Sequence, residues 1–240
     1  MAMRRLRFVN NNFYHIYNRG VEKRKIFLDK KDYFRFIHNL YEFNDTQLVN
    51  IFHRLKKNTS GTSGNRITYS RDKPRKLLVE IICYCLMPNH FHLLLKQLKD
   101  RGISRFMQKL GVGYTLYFNQ KYERSGVLFQ GKFKAVPINN DIQLTHTSSY
   151  IHLNPLDLIQ PNWEEEGIKN RKKTEEFLNK YRFSSYPDYI GIKNFPSVIN
   201  KKFLIEYFGN KKDYERFVRE WTIEDLNKIK DLTLENSSKR

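Results

Sequence analysis

Two histidines flank one phenylalanine in LMPNHFHLLLKQ, residues 86–97. Side chains on a strand alternate between faces, so His90 and His92 project together while Phe91 points the other way. A sheet offers two imidazoles to one cation in this manner. An isolated His-x-His is equally a pair of hydrogen-bonded histidines on a solvent face, so it needs partners. SSYIHLNP, residues 148–155, supplies candidates. Tyr150 and Asn154 are four apart and share one face of a helix. A phenol and a carboxamide oxygen beside two imidazoles form a mixed nitrogen and oxygen set suited to Mg2+ or Mn2+, with the phenol as nucleophile. Taken singly, a packing tyrosine and a helix-end asparagine before Pro155 are the simpler readings. His146, one turn before Tyr150 on the same face, is a possible auxiliary base or ligand, whereas His152 is about half a turn away. Tyr114 is a rival nucleophile, but its place on an apolar stripe makes it core. A zinc site from Cys83, Cys85, His90 and His92 has no standard structural-zinc spacing, and both cysteines suit a buried strand face.

These residues need elements to position them. FVNNNFYHIYNRG (8–20) reads as a first strand and turn. From Asp29, a helix N-cap, the pattern places Tyr33, Ile37, Leu40 and Tyr41 on one face. Residues 54–76 are rich in Ser, Thr, Gly and Lys and read as a basic loop. LLVEIICYCLM (77–87), a Pro88-Asn89 turn and HFHLLLKQ (90–97) predict an antiparallel hairpin. Residues 103–122 predict a helix with Ile103, Phe106, Met107, Leu110, Tyr114, Tyr117 and Phe118 along its apolar stripe. Residues 126–138 predict a strand, and 141–155 a helix with Asp141 near its N-cap and Pro155 at its stop. The order β, α, β-hairpin, α, β, α predicts an α+β fold: a ferredoxin-like split βαβ with a central antiparallel sheet and helices on one face. Residues 1–160 are expected to form this catalytic domain, and 161–240 a C-terminal helical extension packed on or near it.

The partner class follows from charge. Lys and Arg total 44 against 25 Asp and Glu, a formal charge of +19. Such a surplus costs self-repulsion and points to a polyanion, with nucleic acid ahead of a membrane surface. No apolar run approaches the ~20 residues of a spanning helix. The start, Met1 to Arg7, lacks the features of a signal peptide, and Cys83 and Cys85 are too few for a disulfide framework, which fits a reducing cytosol. As a strand, FQGKFK puts Gln130, Lys132 and Lys134 on one face for phosphates, with Phe129 and Phe133 on the other. Arg4, Arg5 and Arg7 in the N-terminal arm, with Arg66, Arg71, Lys73 and Arg75 in the loop, are further candidate DNA contacts; a solvated basic face is the plainer reading for each.

YHIYNRG, LMPNHFHLLL, SRFMQKL…YTLYFN, GVLFQGKFK, YIHLNP and YRFSSYPDYIG occur in that order between about residues 13 and 191. Together they resemble the REP-associated tyrosine transposases of the HUH single-tyrosine superfamily. The resemblance implies that His90 and His92 are the metal-binding pair, that Tyr150 is the nucleophile and that Asn154 completes the metal site. It implies transesterification on single-stranded DNA through a 5′-phosphotyrosine, with Mg2+ or Mn2+ and no small-molecule cofactor. It also implies DNA hairpins of repetitive extragenic palindromes as substrate, a monomer or homodimer, and a cytoplasmic, nucleoid-associated location away from any membrane. Two departures stand out: His152 occupies a place expected to be acidic, and the 57–75 loop is longer than usual. A replication initiator or relaxase-type nickase, a domesticated hairpin- or RNA-binding protein without catalysis, and a zinc-dependent hydrolase are the competing classes.

Overall fold

The structure, a computed structural model, describes residues 6–47, 74–221 and 223–229. Its frame is β1 (Phe13–Arg19), α1 (Lys30–Glu42), β2 (Val79–Met87), β3 (His90–Gln97), α2 (Gly102–Lys121), β4 (Lys134–Ile138) and α3 (Asp141–Leu153). The four strands lie in the order β2-β3-β1-β4, every neighbouring pair antiparallel. This is the split βαβ arrangement, with the site-bearing β3 and β1 in the protected centre of the sheet.

Local chemistry explains the boundaries. Asp29 caps α1 by accepting from the Asp32 backbone N–H, and Asp32 answers in a reciprocal capping box. Asp32 also accepts from the hydroxyls of Tyr117 and Tyr122 and pairs with Lys121, tying α1 to the end of α2. In α2, Gly113 has a structural reason: a Cβ there would sit 2.5 Å from the ring of Phe43. A bulge between Ile81 and Cys83 shifts the phase of β2. Beyond it, Tyr84 and Leu86 face one core cluster while Cys83, Cys85 and Met87 face the other.

The sheet is covered on both faces, not one. Tyr14, Ile16, Phe91, Leu93 and Leu95 meet α1 and α2 through Phe36, Leu40, Phe106, Leu110 and Tyr114. The opposite face meets α3 and a set of later helices: α4 (Trp163–Glu166), α5 (Arg171–Lys180), α6 (Tyr186–Tyr189), α7 (Lys202–Phe208), α8 (Lys211–Arg219) and α9 (Ile223–Asn227). Trp163, Leu178, Tyr189, Tyr214 and Trp221 share a cluster with Cys85, Leu94, Tyr150 and Leu153. The chain at 181–200 also covers the β2 edge: Leu86 N–H donates to Phe183, Ser185 N–H to Tyr84 and Asn200 N–H to Ile81. An exposed edge strand would otherwise offer unpaired backbone groups to another chain.

One further expectation changes. The strand predicted over 126–138 is confined to Lys134–Ile138. Gly131 takes φ +70°, and its N–H turns back to Phe129, which breaks the extended run. The α3 N-cap is Asn140, whose side chain accepts from the Gln143 N–H, so Asp141 begins the first turn. No helix among the described residues is long and apolar enough to cross a membrane.

Candidate active site

Antiparallel register brings the chemistry to one face. His90 lies opposite Arg19 and Met87, and His92 opposite Tyr17 and Cys85. On β1, His15, Tyr17 and Arg19 share that face by alternation. On β4, Lys134 pairs with Tyr17 and joins them. Helix α3 lies against this face and delivers Tyr150, with Asn154 at its C-cap.

The rings of His90 and His92 stand 5.0 Å apart and nearly perpendicular. The Tyr150 ring is 5.7 Å from His92 and edge-on to it, and 6.3 Å from His15. His90 Nε2 lies 3.0 Å from Asn154 Oδ1, and His90 Nδ1 lies 2.7 Å from Asn89 Oδ1. His92 Nδ1 lies 2.9 Å from His15 Nε2. The remaining His92 nitrogen, Nε2, is buried and has no hydrogen-bond partner. His92 is fully buried, and Tyr150 and Asn154 are each 2% exposed.

These contacts test whether a cation suits the residues. Burial holds both imidazoles neutral: His90 falls to about 4, against a smaller upward pull from Asn154, and His92 falls well below the usual histidine range. A neutral imidazole has one N–H, yet His90 faces carboxamide oxygens at both nitrogens. If Nδ1–H donates to Asn89, then Nε2 and Asn154 Oδ1 are two lone-pair donors facing each other. A cation between them removes that conflict, and ligand atoms about 3 Å apart suit neighbouring positions around an ion with bonds near 2.1 Å. The unpartnered His92 Nε2 is a third donor. Nitrogen and oxygen donors of this kind fit Mg2+ or Mn2+. The donor set fits.

Among the described residues, no three His, Cys, Asp or Glu side chains gather as a metal-binding group. Cys83 and Cys85 are buried, and burial pushes both thiols up, so neither offers a ready thiolate to zinc. Tyr114 lies in the core of the other face, its hydroxyl donating to the Ile26 carbonyl at 2.6 Å.

The other candidates separate. His146 is turned to the C-terminal helices: Trp221 Nε1 donates to its Nδ1, and Asp225 lies 3.6 Å away. His152 is built into the core, with Nδ1 2.7 Å from Tyr214 Oη and Nε2 2.8 Å from Ser185 Oγ. Gln130, Lys132 and Lys134 are all exposed; Lys134 begins β4, while the turn at Gly131 rather than strand alternation sets where Gln130 and Lys132 point. Arg7 is exposed, and Arg75 stacks 3.5 Å over the Tyr41 ring while donating to the Tyr41 carbonyl. Arg4, Arg5, Arg66, Arg71 and Lys73 lie outside the described residues.

Three neighbours of the site are not singled out by the sequence motifs. Asn89, at the hairpin turn, orients His90. Arg19 donates to Gln130 and places its charge beside His90. His15 contacts His92 directly. The alternation of YHIYNR puts His15, Tyr17 and Arg19 on one strand face, the signal that could have found two of them.

The family profile "Transposase IS200 like" matches residues 67–154. One solved structure with a similar chain is described as a REP-associated tyrosine transposase bound to a REP hairpin; it is 14% identical, at TM-score 0.47, over 83% of this chain and 92% of that one. A search of curated protein sequences finds no match. The profile match spans β2, β3, α2, β4 and α3, from before the histidine pair to Asn154. Over that site-bearing segment, the chain is similar to the IS200-like transposases.

Proposed function

We propose that the chain cleaves and rejoins single-stranded DNA by transesterification, with Tyr150 as the nucleophile. One observation carries this reading: Tyr150, His90, His92 and Asn154 meet at one place, and a buried imidazole nitrogen there lacks a partner. His90, His92 and Asn154 would hold Mg2+ or Mn2+. When bound, the ion supplies Lewis-acid polarisation of a non-bridging phosphate oxygen.

The chain's own residues do the rest. Tyr150 Oη forms a bond to phosphorus as the bond to the 3′ oxygen breaks, leaving a 5′-phosphotyrosyl strand and a free 3′-OH. The phenolic proton leaves during attack, because a free tyrosine has a pKa near ~10. A different 3′-OH can reverse the step without ATP, since one phosphodiester is exchanged for another. Arg19 on the neighbouring β1 and Lys134 on β4 beyond it, with Gln130 beside Arg19, would meet phosphate oxygens. Lys132, Arg7 and Arg75 would add phosphate contacts; Arg4, Arg5, Arg66, Arg71 and Lys73, outside the described residues, remain candidate DNA contacts. His146 serves α3 from its far side rather than the reaction.

The ordered motifs and the +19 charge support a hairpin of a repetitive extragenic palindrome with a single-stranded flank as substrate. Such a protein works as a monomer or homodimer at the nucleoid. The test is an end-labelled hairpin incubated with the full chain and Mn2+, then resolved under denaturing conditions. A covalent adduct in wild type that is absent from Tyr150→Phe supports the mechanism. Loss of the adduct in Tyr114→Phe but not in Tyr150→Phe would name the other tyrosine. Nicking by Tyr150→Phe without adduct would indicate a hydrolase.

A further inference from the structure

We propose that His15 is a positioning residue for the site: it accepts the Nδ1–H of His92 and so holds the His92 Nε2 lone pair toward the cation. This rests on the metal-site reading above.

The argument begins with hydrogen counting. Both imidazoles are fully buried, and their facing nitrogens are 2.9 Å apart. The rings are close to parallel, at 19°, with centroids 5.1 Å apart. One hydrogen lies between those nitrogens, so one ring donates and the other accepts. If His15 donates, His92 carries its hydrogen on Nε2, a buried N–H with no acceptor. If His92 donates, Nε2 holds a lone pair instead, and only that tautomer can bind a metal. The acceptor on a metal-binding imidazole's second nitrogen fixes ring orientation and raises basicity at the first. His15 occupies that position, as Asn89 does for His90.

The placement has a rigid basis. His15 lies on β1 opposite Leu94, one diagonal step from His92 on the neighbouring β3. Both are central strands, so the contact is fixed by the ladder and not by a loop. His15 also stands edge-on to Tyr150, so one side chain adjoins both the histidine pair and the phenol.

The test uses the full chain with Mn2+ as the probe, titrated by electron paramagnetic resonance, and long-range proton–nitrogen NMR on 15N-histidine protein to read the His92 tautomer. His15→Leu keeps similar bulk and removes the acceptor; His15→Gln keeps an acceptor oxygen. Wild type should show His92 protonated on Nδ1. His15→Leu should weaken Mn2+ binding roughly 10–100-fold, the usual effect of losing such a partner. His15→Gln should recover most of that loss and retain the Nδ1–H tautomer. Equal Mn2+ affinity in wild type and His15→Leu overturns the proposal while leaving the metal site standing; His92 protonated on Nε2 in wild type overturns the proposal and removes His92 from the donor set. If His15→Leu does not fold, His15→Gln decides: a tautomer switched to Nε2–H overturns the proposal. Wild type that binds no Mn2+ overturns the metal-site reading itself, and this proposal with it.

Discussion

Helices α2 and α3 cover opposite faces of one sheet and are built on opposite terms. Helix α2 buries a single stripe, Ile103, Phe106, Met107, Leu110, Tyr114 and Phe118, and leaves Val112 and Leu116 exposed. Helix α3 is buried at every position from Leu144 to Leu153, including Thr145, His146, Thr147, Ser148, Ser149 and His152. Each buried polar group needs a partner, and leaving one unsatisfied costs about 1–3 kcal/mol. Most are provided for: Thr145 and Ser148 bond back to helix carbonyls, and His152 bridges Tyr214 and Ser185. Thr147 Oγ1 and Ser149 Oγ have no partner. The helix that packs is amphipathic; the helix that carries Tyr150 accepts polar burial. Departures from local consistency gather at functional sites, and this contrast follows that rule.

The sharpest way to break the contrast is to remove one oxygen from each helix. Tyr150→Phe should abolish the covalent DNA adduct. Tyr114→Phe should keep full adduct yield and lose about 1–3 kcal/mol, because the Ile26 carbonyl loses its donor. Next in size, His90→Ala and His92→Ala should each remove adduct formation and reduce Mn2+ binding measured by calorimetry. Asn154→Ala should impair cleavage less, about tenfold, since water can take the place of one carboxamide oxygen. Tyr214→Phe leaves His152 and Ser148 without their shared hydroxyl, and should cost about 1–3 kcal/mol in chemical denaturation. The smallest effect concerns pH. Burial lowers the His146 pKa, opposed by Asp225 and assisted by Lys228, so the unfolded chain takes up this proton at higher pH than the folded one. Stability should therefore fall as pH drops below about 6.5, and His146→Gln should flatten that slope in thermal melts.

Much of the frame was readable beforehand because its signals are local. The hairpin follows from two apolar runs around Pro88-Asn89, and α1 from the Asp29 cap. Long-range facts were not readable. Two-sided coverage of the sheet depends on aromatics far along the chain, such as Trp163 and Tyr214, whose partners no periodicity reveals. The 126–138 strand was overextended because alternation continues across Gly131, while its positive φ arises only where the chain folds over β1. His15 escaped because an alternating strand with one buried histidine looks like ordinary sheet until its neighbour is known. The pairing of His90 with Asn154 across 64 residues was an inference from residue chemistry, and the structure brings those two side chains together.

The Tyr214 hydroxyl has a consequence for the order in which the protein is made. It anchors His152 and Ser148 of α3 across 62 and 66 residues of sequence. During synthesis, the strands and α3 are all made before this anchor exists. At about 5–20 residues per second, the interval is roughly 3–13 s. In that time the helix bearing Tyr150 has its sheet but lacks its final lock. A nascent chain can thus hold a nearly formed candidate site whose proposed nucleophile, Tyr150, is not yet fixed in register, and the segment after α3 completes it.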